Sequence, residues 1–122
     1  MESPYKGKTG IKRLLNAFKY SCAGLQEAYR NEDAFRQEVL LATILLPLAF
    51  WLEQTMNGRA LMIATVLLLI IVELLNSAIE AAVDRISLDD HNLAKRAKDI
   101  GSAAVLISLI NVVVVWFLVL LN

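Results

Sequence analysis

The stretch "VELLNSAIEAAVD", residues 72–84, follows an apolar run and carries Glu73, Asn76, Glu80 and Asp84 at near-helical spacing. On a helix, Asn76 lies about 60° from Glu73 on one side and Ser77 about 40° on the other, with Glu80 and Asp84 within about 20°. The polar side chains therefore form one stripe. Along the axis Glu80 is about 10 Å and Asp84 about 16 Å from Glu73. The apolar helix that bears them runs from Ala60 to Val83, and about 20 such residues cross a bilayer. A carboxylate at that depth costs about 3 kcal/mol and needs a partner or a polar cavity. Pairing with a cation such as Lys98, merely to hold helices together, is the structural alternative. Two glutamates and an asparagine on one stripe, with no basic residue at their depth, favour a functional cavity.

Working outward, the rest of the chain is equally apolar. Of its 122 residues 57% are hydrophobic, and the mean hydropathy is +0.56. One compact all-α membrane domain over residues 1–122 accounts for both values. The net charge is zero, but seven of the twelve Lys/Arg (Lys6, Lys8, Lys12, Arg13, Lys19, Arg30, Arg36) precede the first apolar run. Four more (Arg85, Lys95, Arg96, Lys98) lie between the second and third runs, and only Arg59 lies between the first and second. The positive-inside rule thus places the N-terminus and the 84–99 segment in the cytoplasm and the 53–59 turn outside. No nucleic-acid partner is expected, because a basic face would need to be free of membrane spans. The N-terminus lacks the apolar core and cleavage motif of a signal peptide. Cys22 is the only cysteine, which excludes an internal disulfide and predicts a small packed residue.

From Ile11, apolar residues recur at helical spacing through Leu14, Leu15, Phe18, Cys22, Leu25 and Tyr29, with Lys12, Arg13, Asn16 and Lys19 opposite. That pattern predicts an amphipathic surface helix over 11–30 lying on a membrane. "YRNEDAFRQE" follows, with Asn31 expected as an N-cap and Glu32 and Asp33 in the first turn. The first span is expected over about 34–52 and contains Pro47, which should kink it and free the carbonyl of Thr43. The second is expected over 60–83 and the third, free of charge, over 100–121.

The stripe admits a specific chemistry. A separation of about 10 Å is too long for Glu73 and Glu80 to clasp one Mg²⁺ easily. It suits Glu73 at an acceptor hydroxyl and Glu80 at a phosphate-bound metal, with Asn76 between them. Phosphoryl transfer has this layout, since positioning and metal charge do most of its work. The five glycines are dispersed and no GxxxxGK[ST] loop exists, so side chains of the cytoplasmic segments must hold any nucleotide.

"NEDAFRQE" (31–38), "ELLNSAIEAAVDR" (73–85) and "RAKDIGSAAV" (96–105) together resemble the small integral-membrane diacylglycerol kinases of Gram-negative bacteria. The resemblance covers nearly the whole chain. It implies a homotrimer of the bacterial inner membrane, each subunit with a surface helix and three spans. The implied reaction transfers the γ-phosphate of ATP to diacylglycerol, yielding phosphatidic acid. By the resemblance Glu73 matches the general base and Asn76 a supporting residue. Glu32 and Glu80 match ligands of the ATP-bound Mg²⁺, and Arg13, Tyr20, Lys98 and Asp99 match nucleotide contacts. Asp89, Asp90 and His91 fall where the adenosine part is held. Lipid lies in the family along residues 17–22 and 26–29, then Ala34, Phe35, Arg36, Gln37 and Glu38, then residues 51–54 including Trp51, and at Arg59 and Ser102. Cys22 and Ala23 depart from the Trp-Lys pair of the best-known member. The loop at 89–91 keeps the histidine but not the acidic-aromatic pair before it.

Outside the resemblance, Lys98 could simply reach to phosphates at the membrane surface, His91 could be a solvated loop residue, and Arg36 a helical partner of Glu32. Three rival readings compete with this one. An undecaprenol kinase of the same superfamily would carry the same stripe and differ in the lipid offered to Glu73. A small proton-coupled exporter would need a carboxylate reachable from both sides, whereas the stripe clusters toward the cytoplasmic end. A structural subunit of a larger complex would leave Asn76 and Glu80 unexplained.

Overall fold

The computed structural model describes residues 9–86 and 92–122, and these form four helices. The first, α1 (Gly10–Asn31), ends where Glu32 turns extended, at φ −117° and ψ 111°, with its N–H on the Ala28 carbonyl. Asn31 does not cap the next helix, as its sequence position predicts. It closes α1 instead, donating its amide to the Glu27 carbonyl at 3.0 Å and carboxylate at 2.8 Å. An amide side chain bonds its own preceding turn when the backbone there is still helical. Cys22, expected to be packed, is exposed on α1. So are Ile11, Leu14, Leu15 and Phe18. The chain divides after Glu32 into two compact units.

The second unit comprises α2 (Asp33–Leu52), α3 (Met56–Ile86) and α4 (Asn92–Leu121), and α3 packs against both of the others. All three are long and apolar enough to cross a membrane. Outward-facing Leu67, Ile71, Ile107, Val113 and Phe117 are exposed, a distribution suited to hydrocarbon, where a helix satisfies its own backbone. Helix α2 runs on through Pro47.

The turn between α2 and α3 is shorter than expected because Thr55 starts α3 early. Its hydroxyl accepts the Gly58 N–H at 3.1 Å, a capping bond that satisfies one of the helix's orphan donors. Arg59 closes the other side. Its guanidinium donates to the carbonyls of Glu53 at 2.6 Å and Phe50 at 2.9 Å and sits 5.3 Å from the centroid of the Phe50 ring. The cation thus meets carbonyls at the C-terminus of α2, where the helix dipole favours it. Gly58 is buried against the Glu53 side chain, which leaves no room for a Cβ.

The core joins Ala42 and Ala49 of α2, Met62, Val66 and Leu69 of α3, and Val112 and Trp116 of α4. Alanines on α2 let the backbones approach, as is usual between membrane helices. The Trp116 indole N–H is shared between the Met62 carbonyl (3.2 Å) and Thr65 Oγ1 (3.1 Å), and the Thr65 hydroxyl itself donates to Met62. This places one satisfied polar lock within an apolar core.

Candidate functional site

The stripe on α3 passes from core to surface along one helix. Glu73, Asn76 and Ser77 are buried, Glu80 is half-buried and Asp84 is exposed. A single line of polar residues therefore meets three environments within about three turns.

Two helices close over its inner end. From α2, the buried Glu38 lies near enough to Glu73 for the two charges to repel. From α4, the buried Gly101 lies directly against the carboxamide of Asn76. The oxygen of Asn76, the hydroxyl of Ser77 and Oε2 of Glu38 are all cut off from solvent and lack a hydrogen-bond partner among the described residues. Each such group costs about 1–3 kcal/mol. Three in one patch are unusual in a native structure and single the patch out as the candidate site.

Further along, Asp84 takes an ion pair with Lys98 of α4. Here the structural alternative holds for one member of the stripe, the exposed one. Asp99, next to Lys98 but on another face, accepts from Lys95 at 2.8 Å. Ser102 is exposed on the same helix. Arg36 makes an ion pair with Asp33, three residues before it, while Phe35 is buried and Ala34 and Gln37 are exposed. Trp51 is exposed at the far end of α2, and Arg59 is held in the turn beyond it. Fourteen residues separate Arg59 from Glu73, about 21 Å along α3.

In the first unit Arg13 and Tyr20 are exposed on α1, and Glu32 is half-buried at its end. Asp89, Asp90 and His91 lie outside the described residues. Among the described residues no three His, Cys, Asp or Glu side chains cluster as a metal site. The donor types nevertheless suit magnesium, which takes hard oxygen from one or two carboxylates and completes its shell with phosphate and water. Glu80, half-buried rather than sealed, can offer one such oxygen.

Sequence reasoning missed Gly101 and the apposition of Glu38 with Glu73. The signal for the first was present: "GSAA" (101–104) sets small residues at the start of an apolar helix, where a neighbouring backbone or side chain can come close.

Comparison with known proteins bears on this arrangement. A family model described as prokaryotic diacylglycerol kinase matches residues 19–120. The chain is 58% identical over 120 residues to the diacylglycerol kinase of Pseudomonas aeruginosa, covering 98% of each. To that of Haemophilus influenzae it is 53% identical over 108 residues, 88% of this chain and 92% of the relative. To that of Escherichia coli K12 it is 49% identical over 112 residues, 92% of each.

Proposed function

The chain belongs to the prokaryotic diacylglycerol kinase family, and on that premise we propose that it phosphorylates diacylglycerol with ATP at the cytoplasmic face of the bacterial inner membrane. The observation that carries the reading is the buried Glu73 on the same face of a membrane-spanning helix as Asn76 and Glu80. An ionisable residue so placed within a membrane-spanning helix is by default a functional-site candidate.

In this mechanism Glu73 accepts the proton of the lipid hydroxyl. The freed oxygen attacks the γ-phosphorus of ATP, the bond from that phosphorus to the β,γ-bridging oxygen breaks, and ADP leaves with phosphatidic acid as the other product. Asn76, between Glu73 and Glu80, orients the reacting groups through its carboxamide. Glu80 and Glu32 would hold the magnesium ion that accompanies ATP, and its charge offsets that of the phosphates. Arg13, Tyr20, Lys98 and Asp99 contact the nucleotide, with Asp89, Asp90 and His91 toward its adenosine. The lipid runs along Ala34, Phe35, Arg36, Gln37 and Glu38 toward Trp51, Arg59 and Ser102. Its acyl chains meet the apolar flanks while the hydroxyl reaches Glu73. The amphipathic α1 rests on the membrane surface, the N-terminus is cytoplasmic, and the subunits form a homotrimer with shared sites.

An assay of ATP consumption by the purified protein with diacylglycerol and undecaprenol in matched detergent tests the reading. Diacylglycerol should support the faster turnover without any proton gradient. Faster turnover of undecaprenol would reassign the lipid, and no ATP use with either would reject the kinase reading.

A further inference from the structure

We propose that Gly101 is a positioning residue for the phosphoryl transfer: by presenting no side chain it fixes the Asn76 carboxamide in the orientation that serves Glu73 and Glu80. The inference rests on the assignment of Asn76 to the reaction centre. A Cβ built on Gly101 would overlap the Asn76 oxygen and come within 3.3 Å of its Cγ. The backbone of Gly101 is not in the left-handed region, since Gly10 alone among the described glycines has positive φ. Conformational freedom is therefore not what the glycine supplies. Inside α4 it weakens the helix relative to alanine, and the close approach is its compensating use.

The carboxamide has two unlike ends. Its oxygen, lacking solvent and, among the described residues, a hydrogen-bond partner, is lodged against Gly101. An orientation that serves both carboxylates has the amide N–H₂ end away from α4, toward Glu73, three residues before Asn76, and Glu80, four residues after it. Donors belong beside carboxylates, and residues three and four apart on a helix are neighbours. Reversing the amide would bring an oxygen to those anions instead.

Helix α4 has little freedom to retreat and make room for a larger residue. It is tied to α3 on both sides of Gly101, by Lys98 to Asp84 and by Trp116 to Met62 and Thr65. A methyl at position 101 must then displace the carboxamide rather than the helix.

The test uses the full chain in detergent–lipid micelles with diacylglycerol and Mg-ATP. Gly101→Ala should lower kcat by about tenfold or more. Its KM values for both substrates should stay within about twofold, and its assembly and Tm should remain near wild type. In an Asn76→Ala background, where no carboxamide remains to displace, the same change should alter kcat by less than about twofold. Wild-type kcat in Gly101→Ala, or equal losses in both backgrounds, would overturn the proposal. Should Gly101→Ala fail to fold, the double variant must fold, because the overlapping group is gone; its failure would also overturn the proposal. Full turnover by Asn76→Ala alone would reject the role of Asn76 and this inference with it. An impaired Asn76→Ala beside an unimpaired Gly101→Ala would reject only the inference.

Discussion

At one end of the contact between α3 and α4, Met62, Val66 and Leu69 are wholly buried, and the polar atoms among them are matched. The Trp116 N–H and the Thr65 hydroxyl both find acceptors, and the buried Ser108 hydroxyl donates to the Val105 carbonyl at 2.7 Å. At the other end, Asn76 and Ser77 are also buried, yet among the described residues their side-chain oxygens have no hydrogen-bond partner, and neither does Oε2 of Glu38 from α2. The same two helices thus build a satisfied half and an unsatisfied half. A buried polar atom left unmatched is unfavourable. Where it persists beside fully matched neighbours, local physics has been overruled at a site. The comparison separates the lock from the candidate site by hydrogen bonding alone.

Glu73→Gln gives the largest expected effect and breaks the unsatisfied half. Glutamine keeps the size but cannot take up the lipid proton, so kcat should fall by about 10² to 10⁴. Removal of a buried charge that Glu38 repels should leave Tm unchanged or raised. Measured on one preparation, near-normal turnover would reject the base, and collapse of the oligomer would make Glu73 a structural residue.

Glu80→Gln and Glu32→Gln should come next. Each removes a hard oxygen donor, so the Mg-ATP requirement should rise, by about tenfold for one charge-assisted contact, with lipid binding little altered. Raising Mg²⁺ should partly restore the rate; unchanged Mg-ATP dependence would reject the metal assignment. Mixing Glu32→Gln with Glu73→Gln subunits, after verified exchange, should recover activity if the site draws these residues from different chains. Persistent inactivity would argue for a site made within one chain.

The stripe itself was legible because helical periodicity and the cost of membrane carboxylates are properties of the sequence. So were three apolar helices, set by length and composition. What sequence could not supply was pairing between helices. That Glu38 would face Glu73, or Gly101 abut Asn76, depends on how α2 and α4 lie against α3, and no local pattern encodes it. The early start of α3 followed from a Thr55 cap that polar composition had disguised as turn. Asn31 looked like an N-cap because its residue type favours one, but the extended residue is Glu32. Asp84 and Lys98 joined as ordinary partners, although the first lies on the same stripe as the catalytic candidate.

Trp116→Phe probes the satisfied half. It keeps most of the ring but leaves Thr65 Oγ1 short of a donor, while the Met62 carbonyl still accepts from the Thr65 hydroxyl; the loss should cost about 1–3 kcal/mol. In a thermal or denaturant melt the loss should be plain, while kcat at a permissive temperature stays within about twofold. A drop in kcat without a drop in stability would mean that the lock also shapes the reaction centre, and the two halves would not be separable.

Asp84→Asn should have the smallest effect. Its ion pair with Lys98 is half in solvent, with side-chain exposures of 61% and 42%, and exposed pairs contribute at most about 1 kcal/mol. The asparagine also retains a carbonyl oxygen that can accept from the lysine. Tm should therefore fall by only a few degrees, and the difference from wild type should shrink as salt is raised, because screening weakens the pair it removes. A loss as large as that of Trp116→Phe, insensitive to salt, would place Asp84 with the locked half. A salt-sensitive but small change keeps it where its exposure puts it, at the solvent end of the stripe.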